Sequence, residues 1–416
     1  MQKFVIEGGT RLAGEVKISG SKNASLPIIA ASLLAKGVTV LHNVPDLMDV
    51  RTMAKILREM GVKVDFNKGT MVIDTTGLNK PEAPYELVST MRASILVLGP
   101  LVARCGYAKV SRPGGCVIGP RPIDEHLRGL QLLGTDIKEE SGYVIAKSDI
   151  LKGTEIYLNE RSVTATENIM MAATLAKGET QIINCACEPH VTELANFLRK
   201  MGAKVSFRED RFIIQGTKEL HPCEYSIGSD YIETGTFMIA SAITMGKLFL
   251  RGANPSHSVS EIAKLREIGV EIIPDDAGIL VKATKRPKST DIKTAPYPGF
   301  PTDLQPQICS LLCLAEGTSI VHEAMYESRY THIPELQRMG ANIKIEGREA
   351  IIIGVNKLYG AKVMASDIRC GAALVLAGLA AKGTTEVRRI YHIDRGYENL
   401  EIKLQNLGAN IKREED

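Results

Sequence analysis

The sequence lacks any excess of one charge: 51 Lys and Arg stand against 48 Asp and Glu, a net charge of +3. That balance excludes a surface built to hold nucleic acid by neutralising phosphates, so any anion site must be local. The N-terminus, Met1-Gln-Lys-Phe-Val-Ile-Glu-Gly-Gly9, lacks the apolar core of a signal peptide, and the longest apolar stretches, such as 372–381, are too short to cross a bilayer. A soluble, cytosolic protein is expected. None of the eight cysteines falls in a Cys-x-x-Cys, and the close pairs Cys185/Cys187 and Cys309/Cys313 lack a second half for a zinc site. Reduced, mostly buried thiols are therefore expected. Neither a Gly-x-Gly-x-x-Gly nor a full P-loop occurs, because Gly20-Ser-Lys22 has no upstream glycine, which disfavours a dinucleotide or ATP enzyme.

What is present is ordinary globular composition, 44% hydrophobic and 24% charged, over 416 residues, a length that predicts two domains. One phrase recurs six times at intervals of roughly 70 residues: an amphipathic run, a glycine, then an alternating strand, as in Lys55-Ile-Leu-Arg-Glu-Met-Gly61-Val-Lys-Val, with counterparts at Gly134, Gly202, Gly269, Gly340 and Gly408. The glycine suits a left-handed helix C-cap. A second phrase interleaves with it, an apolar helix ending in Lys36-Gly37, Cys105-Gly106, Lys177-Gly178, Met245-Gly246, Glu316-Gly317 and Lys382-Gly383. The last copy stops at Asp416 without its second strand, while Gln2 to Glu7 reads as a strand with no helix before it, so the N-terminal strand is expected to complete the sixth repeat. The predicted architecture is α/β, with two closed threefold domains that have apolar helices inside and sheets outside. Residues 21–228 form one domain and 1–20 with 229–416 the other, with crossovers near Gly20-Ser21 and Gly228-Ser229.

Counting back about 14 or 15 residues from each helix-ending glycine reaches Lys22, Arg92, Thr164, Tyr231, Asp303 and Arg369, near the start of every inner helix. Capping accounts for Thr and Asp at such a station. It does not account for Lys22, Arg92 and Arg369, since a cation at a positive helix end is unfavourable unless an anion lies between them, and this pattern predicts phosphate or carboxylate binding. Cys116 sits in the least core-like stretch around any cysteine, among Pro113, Gly114, Gly115, Gly119 and Pro120, with Arg112 and Arg121 nearby, so an accessible thiol is expected there.

Gly20-Ser-Lys-Asn-Ala24, Pro113-Gly-Gly-Cys116, Arg121-Pro-Ile-Asp124, Ala165-Thr-Glu-Asn168, Phe300-Pro-Thr-Asp303 and Asp394-Arg-Gly-Tyr-Glu398 occur in order along the whole chain. In these motifs the sequence resembles the UDP-N-acetylglucosamine 1-carboxyvinyltransferase family of enolpyruvyl transferases. The resemblance implies two inside-out α/β barrels and a reaction needing neither metal nor organic cofactor, in which phosphoenolpyruvate and UDP-N-acetylglucosamine combine by addition and elimination. It implies that Cys116 is the general acid at C3 of phosphoenolpyruvate and can also hold it covalently. It further implies that Lys22, Arg121 and Arg395, joined by Arg369, grip phosphate and carboxylate, and that Asp303 is the base on the sugar 3-hydroxyl. By the same resemblance Asn23 fixes the acetamido sugar, while Arg92, Arg121, Pro122, Ile123, Asp124, Glu125, Ser162, Val163 and the Met325 backbone hold sugar, diphosphate and uracil. Asp367 and Glu188 are further cleft candidates that also suit surface ion pairs.

Three positions depart from the family pattern: Thr164 in place of Gly at the diphosphate turn, Glu125 at a nucleobase wall that is commonly uncharged, and Cys370 in place of Ala. They bear on nucleotide affinity more than on reaction type. The rival readings are the shikimate branch of the same fold, against which the Cys116 loop argues, and a catalytically silent UDP-sugar-binding paralogue, against which Cys116, Asp303, Lys22 and Arg395 together argue.

Overall fold

The computed structural model describes residues 2–113, 122–327 and 329–415, which divide into two compact units, 20–113 with 122–228 and 2–19 with 229–415. Cys116 and Arg121 lie outside the described residues.

The repeated glycines are local instructions. The amphipathic helix Met48–Glu59 buries Met53, Ile56 and Leu57, and Gly61 then takes φ +88°. The Val62 amide reaches back to the Leu57 carbonyl and the Gly61 amide to Arg58, so two carbonyls of the last turn are satisfied. The same reversal recurs at Gly134, Gly202, Gly269, Gly340 and Gly408, with φ between +92° and +103°. A side chain there would be strained, which is why the phrase keeps glycine. In the second phrase Gly246 is the exception, since Met245 adopts the left-handed conformation in its place at φ +50°.

Among the described residues the strands form six separate four-stranded sheets, three in each unit. Each sheet has one layout: a short edge strand parallel to the strand after an inner helix, then the hairpin that follows an outer helix. Strands Glu155–Tyr157, Glu179–Ile183, Arg211–Gln215 and Lys204–Arg208 show it in order. In the sixth sheet Gln2–Glu7 takes the second hairpin position, antiparallel to both Thr384–Arg388 and Asn410–Glu415, and turns Phe4 and Ile6 into the core. The sheets enclose their helices by packing and do not join into one hydrogen-bonded barrel.

The enclosed helices are Lys22–Ala31, Leu98–Cys105 and Val163–Ala173 in one unit and Tyr231–Ile243, Gln305–Leu312 and Ile368–Ala380 in the other. Every residue of Tyr231–Ile243 is buried, so apolar character on all sides is what the site requires. Backbones approach closely: a Cβ on Gly99 would lie 2.3 Å from the Asn168 carbonyl oxygen. The buried Glu233 on the helix Tyr231–Ile243 is paired, receiving Lys403 Nζ at 2.6 Å and the Ser19 amide at 2.6 Å.

Glu261, on the outer helix Val259–Glu267, is 3% exposed and accepts the Ser260 hydroxyl at 2.8 Å. Burial pushes its carboxyl up to about 7. Below about pH 4 the carboxyl is neutral in both folded and unfolded chains; between there and pH 7 the unfolded chain ionises first, so stability falls as pH rises. Glu261→Gln is expected to stabilise the protein by up to about 3 kcal/mol at pH 8 and by little at pH 4.5. Thermal midpoints of both proteins at the two pH values check this, and an equal offset at both would assign the effect to packing.

Candidate active site

The six polar stations stand at the first or second residue of their helices: Lys22, Arg92 and Tyr231 first, Thr164, Asp303 and Arg369 second. At four of them a side-chain cap falls one or two residues earlier. Ser21, Ser162 and Asp230 accept amides of the first turn, and Asp367 accepts the Arg369 and Cys370 amides at 2.9 and 3.0 Å. The side chains at the stations are thereby released for other contacts.

In the unit 20–228, Lys22 Nζ lies 2.9 Å from Asp49 Oδ2, with both side chains largely buried. Asn23, the next residue, is half-buried. Arg92 Nη2 donates to the Pro122 carbonyl at 3.0 Å and so holds the segment in which Ile123 is buried and Asp124 opens the helix Asp124–Leu132. Glu125 is paired with Arg128 at 2.7 Å, so the departure from an uncharged wall carries its own counter-charge. The Thr164 hydroxyl lies 3.0 Å from His126 Nε2, and His126 Nδ1 lies 3.0 Å from Asn168. Asn168 in turn receives the Gly99 amide at 2.6 Å and donates to the Ile95 carbonyl at 3.0 Å, which gives the Ala165-Thr-Glu-Asn168 motif a role in joining helices. Val163 is the first residue of its helix.

In the unit 2–19 with 229–415, Asp303 lies between two guanidinium groups: Arg329 Nη2 is 2.7 Å from Oδ1 and Arg369 Nη2 is 2.8 Å from Oδ2. Burial pushes the Asp303 carboxyl up, but the Arg369 and Arg329 charges outweigh it and hold the group well below the usual carboxylate range. Arg369 sits 5.6 Å over the buried Tyr397 ring, whose hydroxyl meets Thr236 at 2.9 Å and Gln307 at 3.1 Å. His332, fully buried near this group, is brought down to about 3 chiefly by burial, and is neutral. Arg395 ends the short helix Ile390–Arg395 half-buried, next to Asp394, which is anchored on Arg413 at 2.7 and 2.9 Å. The Met325 amide donates to Glu323 at 2.8 Å, so of its backbone groups the carbonyl is the one left to offer.

These contacts add to the sequence reading. Two of the station cations are met from within the chain, Lys22 by Asp49 and Arg369 by Asp303. The Asp303 carboxylate spends its oxygens on arginines and caps no helix. Asp367 is a helix cap that also accepts the Thr331 hydroxyl at 3.0 Å, and Glu188 stands just before the helix Pro189–Lys200. Cys370 is an inner-helix thiol pushed up to about 11 by burial. Of the residues expected at the site, direct bonds join Asp303 with Arg369, Arg369 with Asp367, and Arg92 with Pro122. Arg329, Asp49 and Tyr397 were missed. Arg329 follows a non-periodic turn and Asp49 stands in an outer amphipathic helix, so neither had a repeat position to mark it.

An ionised carboxylate pinned by two guanidiniums suits chemistry on anionic substrates, in which charge moves and a hydroxyl loses a proton. The EPSP synthase (3-phosphoshikimate 1-carboxyvinyltransferase) family model matches residues 6–404. The UDP-N-acetylglucosamine 1-carboxyvinyltransferase of Desulforapulum autotrophicum is 54% identical, covering 99% of this chain and 100% of that protein, and that of Desulfosudis oleivorans is 52% identical, covering 99% of each. The crystal structure of the enolpyruvyl transferase NikO from Streptomyces tendae superposes with TM-score 0.89 at 25% identity, over 99% of this chain and 98% of that one. The chain belongs to the enolpyruvyl transferase family, in its UDP-N-acetylglucosamine 1-carboxyvinyltransferase branch.

Proposed function

We propose that this protein transfers the enolpyruvyl group of phosphoenolpyruvate to the 3-hydroxyl of UDP-N-acetylglucosamine with release of phosphate, the first committed step toward peptidoglycan. The observation that carries this reading is the 54% identity, from end to end, to a relative named for that acceptor. Cys116 gives a proton to C3 of the donor and the sugar oxygen bonds to C2 as its proton passes to Asp303. The tetrahedral ketal then returns a C3 proton to the Cys116 thiolate as the C2–O bond to phosphate breaks. Asp303, held by Arg329 and Arg369, is ionised at any working pH but weakly basic. It therefore takes the proton as the C–O bond forms, when the hydroxyl has become acidic. Lys22, Arg121, Arg369 and Arg395 offset the donor's anionic groups, and Asn23, Arg92, the 121–125 segment, Ser162, Val163, Met325 and Asp367 serve the nucleotide sugar. Among the described residues no helix is long and apolar enough to cross a membrane, and a cytosolic site of action goes with this reading.

Phosphate release by the pure protein with phosphoenolpyruvate and either UDP-N-acetylglucosamine or shikimate 3-phosphate tests it. One phosphate per nucleotide sugar consumed is expected. Release with shikimate 3-phosphate alone would make the protein a shikimate-branch enzyme, and release with neither would make it a silent paralogue.

A further inference from the structure

Glu323 has no exposed surface, yet it carries a carboxylate. Such a group is tolerated inside a protein only when its lone pairs are filled, and here four donors fill them. Oε1 accepts the Thr294 hydroxyl at 2.8 Å and the amides of Met325 and Tyr326 at 2.8 and 3.1 Å, while Oε2 accepts the Thr302 hydroxyl at 2.9 Å. Thr294 also receives the Ala324 amide at 2.8 Å, so the turn 324–326 is wrapped around this one side chain.

The contact with Thr302 leads directly to Asp303. Because the Thr302 proton goes to Glu323, its oxygen is left to accept Arg329 Nη1 at 3.0 Å, and that orientation places Nη2 of the same guanidinium 2.7 Å from Asp303 Oδ1. The other face of Arg329 is bounded by the Tyr326 ring, 5.5 Å away, whose backbone Glu323 also holds. The Arg329 side chain is 6% exposed, so few alternative positions are open to it. Glu323 thus sets both the relay and the wall that aim one guanidinium at Asp303, along with the direction of the Met325 carbonyl.

We propose that Glu323 is a positioning residue, which through Thr302 and the 324–326 turn fixes Arg329 on the base Asp303 without touching substrate itself. This rests on the function proposed above. A glutamine of the same shape would present an amide donor to Thr302, whose oxygen would then face two donors while its own proton had to turn elsewhere. The aim of Arg329 would loosen although the turn kept its acceptor.

The test is a double-mutant cycle of Glu323→Gln and Thr302→Val, with kcat, KM for phosphoenolpyruvate and thermal midpoint measured on each protein. Thr302→Val keeps shape and leaves Glu323 on its loop amides, so it remains informative even if Glu323→Gln folds poorly. Each single change is expected to lower kcat by about 10- to 100-fold with KM within about threefold, and the double variant to be no worse than the worse single. Losses that multiply, losses matching only the folded fraction, or an unchanged kcat in Thr302→Val would overturn the proposal while wild-type turnover left the function standing. A wild type inactive on this substrate pair would overturn the function, and the proposal with it.

Discussion

Asp303→Asn is expected to lower turnover by at least about two orders of magnitude, beyond any loss of folded protein, while nucleotide-sugar binding largely survives. The change keeps the shape of the side chain but removes the charge shared by Arg329 and Arg369, whose side chains are 6% and 7% exposed. Stability should therefore fall as well, which would not follow from an Asp to Asn change at a helix cap, where the two residues serve about equally. The two effects separate by pH. Because Asp303 is held well below the usual carboxylate range in the folded protein, the stability it contributes is present above about pH 4 and is lost as the pH falls toward 2. The gap in thermal midpoint between wild type and Asp303→Asn should accordingly narrow on going from pH 7 to pH 3. Turnover that tracked the folded fraction would remove Asp303 from the chemistry and leave it a purely structural anion.

Cys116→Ser is expected to cost turnover at neutral pH by a similar or larger factor, because a hydroxyl is a far weaker acid than a thiol, and Cys116→Asp should retain more activity than the serine variant. The other thiols supply no substitute. Burial pushes Cys185 and Cys370 up to about 11 and Cys313 to about 12, and Cys105, Cys187, Cys223 and Cys309 are also raised by burial. Cys105 is exposed and also open to reagent, so the check is a difference: a thiol reagent at pH 7 should add one label fewer, counted by mass, to Cys116→Ser than to the wild type, with phosphoenolpyruvate slowing that one modification. Wild-type turnover in Cys116→Ser would reduce the loop to a covering role.

The repeats were legible because each is written in local terms. An apolar helix and a glycine that must go left-handed leave their mark within a dozen residues, wherever the rest of the chain lies. The stations followed from counting back along those helices. What spacing alone did not reveal is pairing between distant segments. Lys22 and Arg369 read as cations awaiting a ligand because Asp49 lies 27 residues from the first and Asp303 lies 66 from the second, and no periodicity links them. Arg329 and Glu323 belong to an irregular turn whose order comes from one buried carboxylate, and irregular backbone carries no pattern to read. Thr164 raised concern as a bulky replacement, yet its hydroxyl is taken up by His126, a partner supplied by a different helix.

The strand Gln2–Glu7 lies between Thr384–Arg388 and Asn410–Glu415, so both of its neighbours are made long after it. The unit containing residues 20–113 and 122–228 is made well before them and can settle during synthesis. The strand Gln2–Glu7 must instead wait, with both edges unpaired, until residues 384–415 have emerged. Its burial then completes the sixth sheet from the inside. A chain released before residue 384 would leave an exposed apolar strand, carrying Phe4 and Ile6, with neither neighbour to pair with. Ribosome stalling ahead of residue 384 should accordingly yield aggregates in which the unit containing residues 20–113 and 122–228 is already folded.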